Sequence, residues 1–198
     1  MRRFLLIAFV LALITAPIFA QFKMDICAVY NIPNSKGFSH NFQNGYGGAA
    51  EIHYFIKDSG FSTSLLFGIS GFRATKEYEQ ELEDGNPTVF EYDYQINYYT
   101  FPLLLSANYT FLREKKFNAI LGIGFGGNFM EEKHKQIGEY TSDTEKTHYN
   151  EFAVYPKLGF SFAVANDLAI IAKAGYNITF GKNEIQYFDI NFGLIYDL

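Results

Sequence analysis

The sequence predicts an all-β fold, an eight-stranded antiparallel up-and-down transmembrane β-barrel. Three observations predict it. Hydrophobicity alternates with a period of two along most of the chain, one face of each alternating segment is almost free of charge, and tight turns alternate with longer polar connections. Of 198 residues, 48% are apolar and 19% charged, with 22 Phe and 15 Tyr, which excludes a disordered or collagen-like chain. The single cysteine, Cys27, excludes an internal disulfide framework, and no Cys/His group has structural zinc spacing. A formal charge of -5 argues against nucleic acid as a partner, because phosphate binding needs a clustered excess of Lys and Arg.

Residues 1–20 read as a secretory signal peptide. Arg2 and Arg3 precede an uncharged run from Phe4 to Ile14, and Ala20 offers a small residue for cleavage before Gln21. The run is short for a spanning helix, which needs about 20 apolar residues. The mature chain, 21–198, is then a single barrel domain.

The strands follow in order. In 22–32, Met24, Ile26, Ala28 and Tyr30 face away from Lys23, Asp25, Cys27 and Asn31. In 44–57, Ala50, Ile52 and Tyr54 oppose Gly47, Glu51 and His53, and in 60–74, Phe61, Leu65, Phe67 and Ile69 oppose serines and Gly68. The segment 88–112 changes phase: its aromatics sit on even positions from Phe90 to Tyr98, then on odd positions from Tyr99 to Tyr109. A bulge near Tyr98 and Tyr99, with Pro102 removing a ladder donor close by, would account for the shift. In 117–131, Leu121, Ile123 and Phe125 alternate with glycines. The segment 147–165 sets Phe160 and Phe162 against Glu151, Lys157 and Ser161, and 167–180 sets Ile170 and Ala172 against Lys173. Finally, 185–198 sets Phe188, Ile190, Phe192, Leu194 and Tyr196 against Asp189, Asn191, Gly193 and Asp197.

The connections 33–43, 75–87 and 132–146 are long and polar, whereas those at 57–60, 113–116 and 166–167 are tight turns. Both chain ends then lie at the short-turn end, the layout of an outer-membrane barrel. The charged face belongs inside, since eight strands leave an interior just wide enough for side chains to fill. An interior polar network is expected from Lys23, Asp25, Glu51, His53, Glu151, Lys157, Lys173 and Asp189, with Glu91, Asp93 and Asp197 on the same face and Cys27 pointing into the lumen. Tyr54, Phe61, Tyr109, Phe111, Phe117, Phe162 and Tyr196 form an aromatic girdle at the short-turn end; Tyr30, Tyr46, Phe129, Phe152 and Phe180 form the opposite one.

On two motifs the chain resembles the small single-chain outer-membrane β-barrel proteins, in particular the PorT-like group, related in architecture to OmpA/OmpX-type barrels. One is the C-terminal Asn191-Phe192-Gly193-Leu194-Ile195-Tyr196-Asp197-Leu198, similar to the signal read by the barrel assembly machinery, with Leu198 where many such proteins have Phe. The other is Tyr98-Tyr99-Thr100-Phe101-Pro102-Leu103-Leu104-Leu105, with Phe101 in place of Ile. The resemblance implies a barrel embedded in outer-membrane lipid, with Asn191, Gly193, Tyr196 and Leu198 as its assembly signal, the assembly machinery as folding partner and an envelope protein as a candidate partner for the outer loops. No cofactor or metal is expected, and no catalytic residue. Two alternatives stand beside this reading. An outer-leaflet lipid-modifying enzyme would draw on His40, His134 or His148, and a soluble periplasmic ligand-binding barrel would turn the apolar face inward.

Overall fold

The computed structural model describes residues 20–56, 59–85, 93–111, 116–137, 142–181 and 184–198. Eight strands run in chain order around a closed barrel: β1 (Ala20–Pro33), β2 (Gly45–Ile56), β3 (Phe61–Arg73), β4 (Asp93–Phe111), β5 (Phe117–Ile137), β6 (Ser142–Ala163), β7 (Leu168–Phe180) and β8 (Gln186–Asp197). All neighbours are antiparallel, and β1 closes on β8 with Lys23 opposite Asp197 and Asn31 opposite Asp189. Where all eight strands pair, closure leaves no sheet edge, as a sheet in hydrocarbon requires; only the extension of β4, β5 and β6 beyond Asn97 and Phe152 runs past its neighbours β3 and β7. The signal-peptide reading of residues 1–20 lies outside the described residues except for Ala20, which opens β1.

Parity governs the wall. Positions read as apolar faces point outward: Leu105 and Phe192 are 64% and 63% exposed, and every strand contributes to a continuous apolar band. Aromatics pair across strands at both rims of this band. At the short-turn rim the ring centroids of Phe22 and Tyr54 are 5.3 Å apart and those of Phe61 and Tyr109 are 4.8 Å apart; at the far rim Tyr30 and Tyr46 are 5.2 Å apart and Phe152 and Phe180 6.4 Å.

The expected bulge in β4 is absent. The register of β4 with β5 is unbroken from Asp93 opposite Ile137 to Phe111 opposite Ala119, so even positions face the lumen throughout. What changes is the chemistry of the lumen. Thr100, Ser106 and Asn108 face a polar interior, whereas Ile96 and Tyr98 face an apolar plug at the outer end. Pro102 does interrupt pairing with β3, where the positions between Phe67–Leu103 and Ser70–Thr100 are not matched. A second difference is the hairpin β5–β6, which is strand up to Ile137 and again from Ser142, so most of the expected loop 132–146 is an extension of the wall.

The plug comes from the two remaining connections, which hold short helices. Helix α1 (Lys36–Asn41) drops Phe38 into the mouth, where its ring lies 5.1 Å from both Phe72 and Tyr98 and 4.9 Å from Phe42. Phe38, Phe42, Phe72, Ile96, Met130 and Tyr187 are buried together there. Helix α2 (Lys76–Gly85) is started by Thr75, whose Oγ1 accepts from the Tyr78 N–H at 3.3 Å, and carries Glu77 and Glu79 in its first turn, where negative charge suits the helix dipole. Thr75 also ties the two connections, its Oγ1 donating to the His40 carbonyl at 2.9 Å. Burial pushes the Tyr78 phenol up in pKa, and Glu132 and Glu81 add to the shift.

Candidate functional site: the charged lumen

In mid-barrel, inward positions of four strands converge. Asp25 on β1, Glu51 and His53 on β2, Lys157 on β6 and Lys173 on β7 are all buried. Lys173 Nζ lies 2.8 Å and 2.9 Å from the two Asp25 oxygens and 2.9 Å from Glu51 Oε2, bridging the carboxylates. Lys157 donates to Glu51 Oε1, as does the Ser64 hydroxyl, which accepts in turn from Asn108 Nδ2 at 2.8 Å. His53 Nε2 sits 2.8 Å from Asp25 Oδ2. Cys27 points into the lumen as expected, with Sγ 3.6 Å from Asp25 Oδ1.

Two ammonium groups thus face two carboxylates, and every charge has an opposite partner, which buried charges need. Asp25, Glu51 and His53 are grouped closely enough to ligate a metal ion. Lys173 already stands between the two carboxylates, so the place a cation would take is held by the protein's own ammonium.

The other expected members of the network are placed apart from this cluster. Asp189 accepts from Tyr155 Oη at 2.7 Å and from Asn191 Nδ2, one layer further out. Lys23 pairs with Asp197 at 2.7 Å at the short-turn rim, part-exposed, and such a pair contributes at most about 1 kcal/mol. Glu151 is half-buried at the outer end, its carboxylate against Gly181. Glu91 and the side chain of Asp93 fall outside the described residues. In the C-terminal motif, Asn191 is buried in the lumen and Gly193 packs on the β1 backbone at Ile26–Cys27, while Tyr196 and Leu198 face outward. The aromatic plug has no counterpart in the sequence pattern beyond the phase change in β4.

The lumen is closed at several levels. A polar vestibule of about 270 Å³, lined in part by Lys23, Thr110, Asn118 and Ser161, opens at the short-turn end and stops against Ile120 and Ile195. Above the charged cluster, Leu66, Leu104 and Tyr155 pack together, and the cavity beyond them is only about 30 Å³, room for roughly one water. Gly175 lets the Tyr155 ring lie flat on β7, since a Cβ there would overlap the ring. Gly175→Val is therefore expected to displace Tyr155 from Asp189 and destabilise the barrel by about 1–3 kcal/mol, read as a lower unfolding midpoint in denaturant.

No family model matches the sequence, and no curated protein does. Solved structures do match. A major outer membrane protein from Thermus thermophilus superposes with a TM-score of 0.63 at 11% identity, covering 90% of this chain and 99% of that one. This is an outer-membrane barrel fold. The outer membrane protein OprG from Pseudomonas aeruginosa matches this barrel with a TM-score of 0.58 at 10% identity, covering 91% and 96% of the two chains. Ail, the attachment invasion locus protein of Yersinia pestis, in complex with the heparin analogue sucrose octasulfate, gives 0.57 at 10% identity over 91% and 99%. At these identities the likeness establishes the barrel architecture.

Proposed function

We propose that this barrel is an integral outer-membrane protein that serves as a closed scaffold in the envelope, making its specific contacts with a partner through its outer ends, and that it neither conducts bulk solute nor catalyses a reaction. The observation that carries the reading is the pairing of an uncharged, predominantly apolar outer band with a lumen filled at successive levels. In water such a band would be a large aggregation surface; in a bilayer it is the surface a barrel must present. The C-terminal motif resembling an assembly signal, Asn191, Gly193, Tyr196 and Leu198, supports delivery by the barrel assembly machinery after signal-peptide-directed export.

A lipid-modifying enzyme is the weaker reading. The three outer histidines each face a glutamate: His40 lies 3.7 Å from Glu81, His134 3.1 Å from Glu132, and His148 3.8 Å from Glu131. A nucleophilic mechanism needs a histidine within hydrogen-bond reach of a hydroxyl or thiol.

The test is refolding of the mature chain into phosphatidylcholine vesicles. Migration on an SDS gel is expected to change on boiling, and planar bilayers are expected to show no stepwise conductance. Conductance steps would overturn the closed lumen. An unchanged gel position with solubility in plain buffer would overturn the membrane reading and favour a soluble ligand-binding barrel.

A further inference from the structure

The outward face of the extended wall changes character abruptly. On β5 the outward positions run Leu121, Ile123, Phe125, Phe129 and then Glu131, Lys133, Lys135. Register places Lys133 directly between Asn97 of β4 and Lys146 of β6, and Asn97 beside Arg73 of β3. One outward row across four adjacent strands therefore reads Arg73, Asn97, Lys133, Lys146, at strand spacings of about 4.8 Å. Like charges directly opposite one another destabilise a strand pair, and Lys133 and Lys146 are such a pair. The acid beside them, Glu131, is shared, 3.4 Å from Lys146 and 3.8 Å from His148.

At the other end of the row lies a groove of about 420 Å³ lined in part by Arg73, Lys76, Glu79, Gln95 and Asn97. Glu79 in this groove accepts from the Ile96 N–H at 3.5 Å and its carboxylate balances one of the two cations there, so the groove offers an anion one net positive charge together with the amides of Gln95 and Asn97. Guanidinium and ammonium groups make their strongest hydrogen bonds to phosphate or carboxylate oxygens.

We propose that this row and groove hold the phosphate-bearing headgroup of an outer-leaflet lipid, whose acyl chains lie on the apolar band below. One outward position separates the row from the band on β5: Glu131, between Phe129 and Lys133, turns its carboxylate to Lys146 and His148, and lysine stems can bury along apolar surface while the ammonium reaches the headgroups. An amphipathic surface of this order fits an amphipathic ligand better than a soluble polyanion, which would use the charges and leave the band unused. The inference rests on the outer-membrane reading above.

The test reconstitutes the barrel in phosphatidylcholine nanodiscs and measures retention of added diphosphorylated lipid A against the same lipid with both phosphates removed. Wild type is expected to retain the phosphorylated form about tenfold more tightly or better. The variant R73A/K133A/K146A, changed only at outward-facing positions, is expected to lose that preference while keeping its heat-dependent gel shift, and Lys133→Gln to lose part of it. Equal retention of both lipids by wild type, or an unchanged preference in the triple variant, would overturn the proposal. Competition by sucrose octasulfate with no phosphate preference among lipids would overturn it in favour of a sulfated polysaccharide. Failure of wild type to insert, seen as loss of the gel shift, would instead overturn the membrane reading itself and this inference with it.

Discussion

Lys173→Met is expected to cost about 3–5 kcal/mol of stability, the loss typical of removing one partner from a buried ion pair, and to lower the urea midpoint of the vesicle-inserted barrel accordingly. The reason is local and electrostatic. Lys173 is the ammonium that touches both Asp25 and Glu51, so its removal leaves two buried carboxylates facing each other, with Lys157 on Glu51 and only the His53 ring on Asp25. Adding Asp25→Asn to Lys173→Met removes one of the stranded charges and should recover part of the loss. The two substitutions lie in direct contact, so their effects should not add. A midpoint within about 1 kcal/mol of wild type for Lys173→Met would show that the cluster is solvated through the vestibule and contributes little.

Phe38→Ala is expected to free the outer plug, with a local cost of about 3 kcal/mol, the lower end for deleting a buried phenyl group. Phe38 meets Phe72 and Tyr98 edge to face and Phe42 at a tilt, and α1 has only six residues, too few to persist without that anchor. The measurement is limited proteolysis of the segment between β1 and β2, expected to speed up markedly while the gel shift of the barrel stays intact. The same variant should still show no conductance steps, because Leu66, Leu104 and Tyr155 and the charged cluster beneath them close the lumen independently. Conductance steps on releasing α1 would mean that the plug alone seals the barrel.

These two substitutions separate the local from the non-local in the architecture. Strand parity is a property of neighbouring residues, and it is legible along β1, β2, β3, β5, β6, β7 and β8, where each apolar run points outward as its period of two requires. The position of the ends is legible too: with an even number of antiparallel strands, the first and last must finish at the same rim, and Lys23 meets Asp197 there. What alternation cannot separate is an apolar residue facing lipid from an apolar residue facing an aromatic plug. Alternation alone puts Ile96 and Tyr98 on the outward face of a bulged strand, and only the chain folded over the mouth by α1 shows why they point inward.

The same limit applies to the charges. From the sequence alone, Asp25, Glu51, His53, Lys157, Lys173, Glu151, Lys23 and Asp189 form one set of interior polar residues. Closure of β1 on β8 and the stagger of the strands decide which of them meet. They bring Lys173 to Asp25, 148 positions apart in the chain, and leave Lys23 at the rim and Glu151 at the outer end. The row of Arg73, Lys133 and Lys146 is likewise invisible to a pass along the chain, because it exists only across four paired strands. By itself the sequence determined the fold class, the inward and outward faces and the shared rim of the two strand termini, since each follows from backbone alternation and turn chemistry within a few residues. The tertiary structure decided the partners of the buried charges, the plug and the outer cationic row, since register and closure couple residues that no local pattern relates.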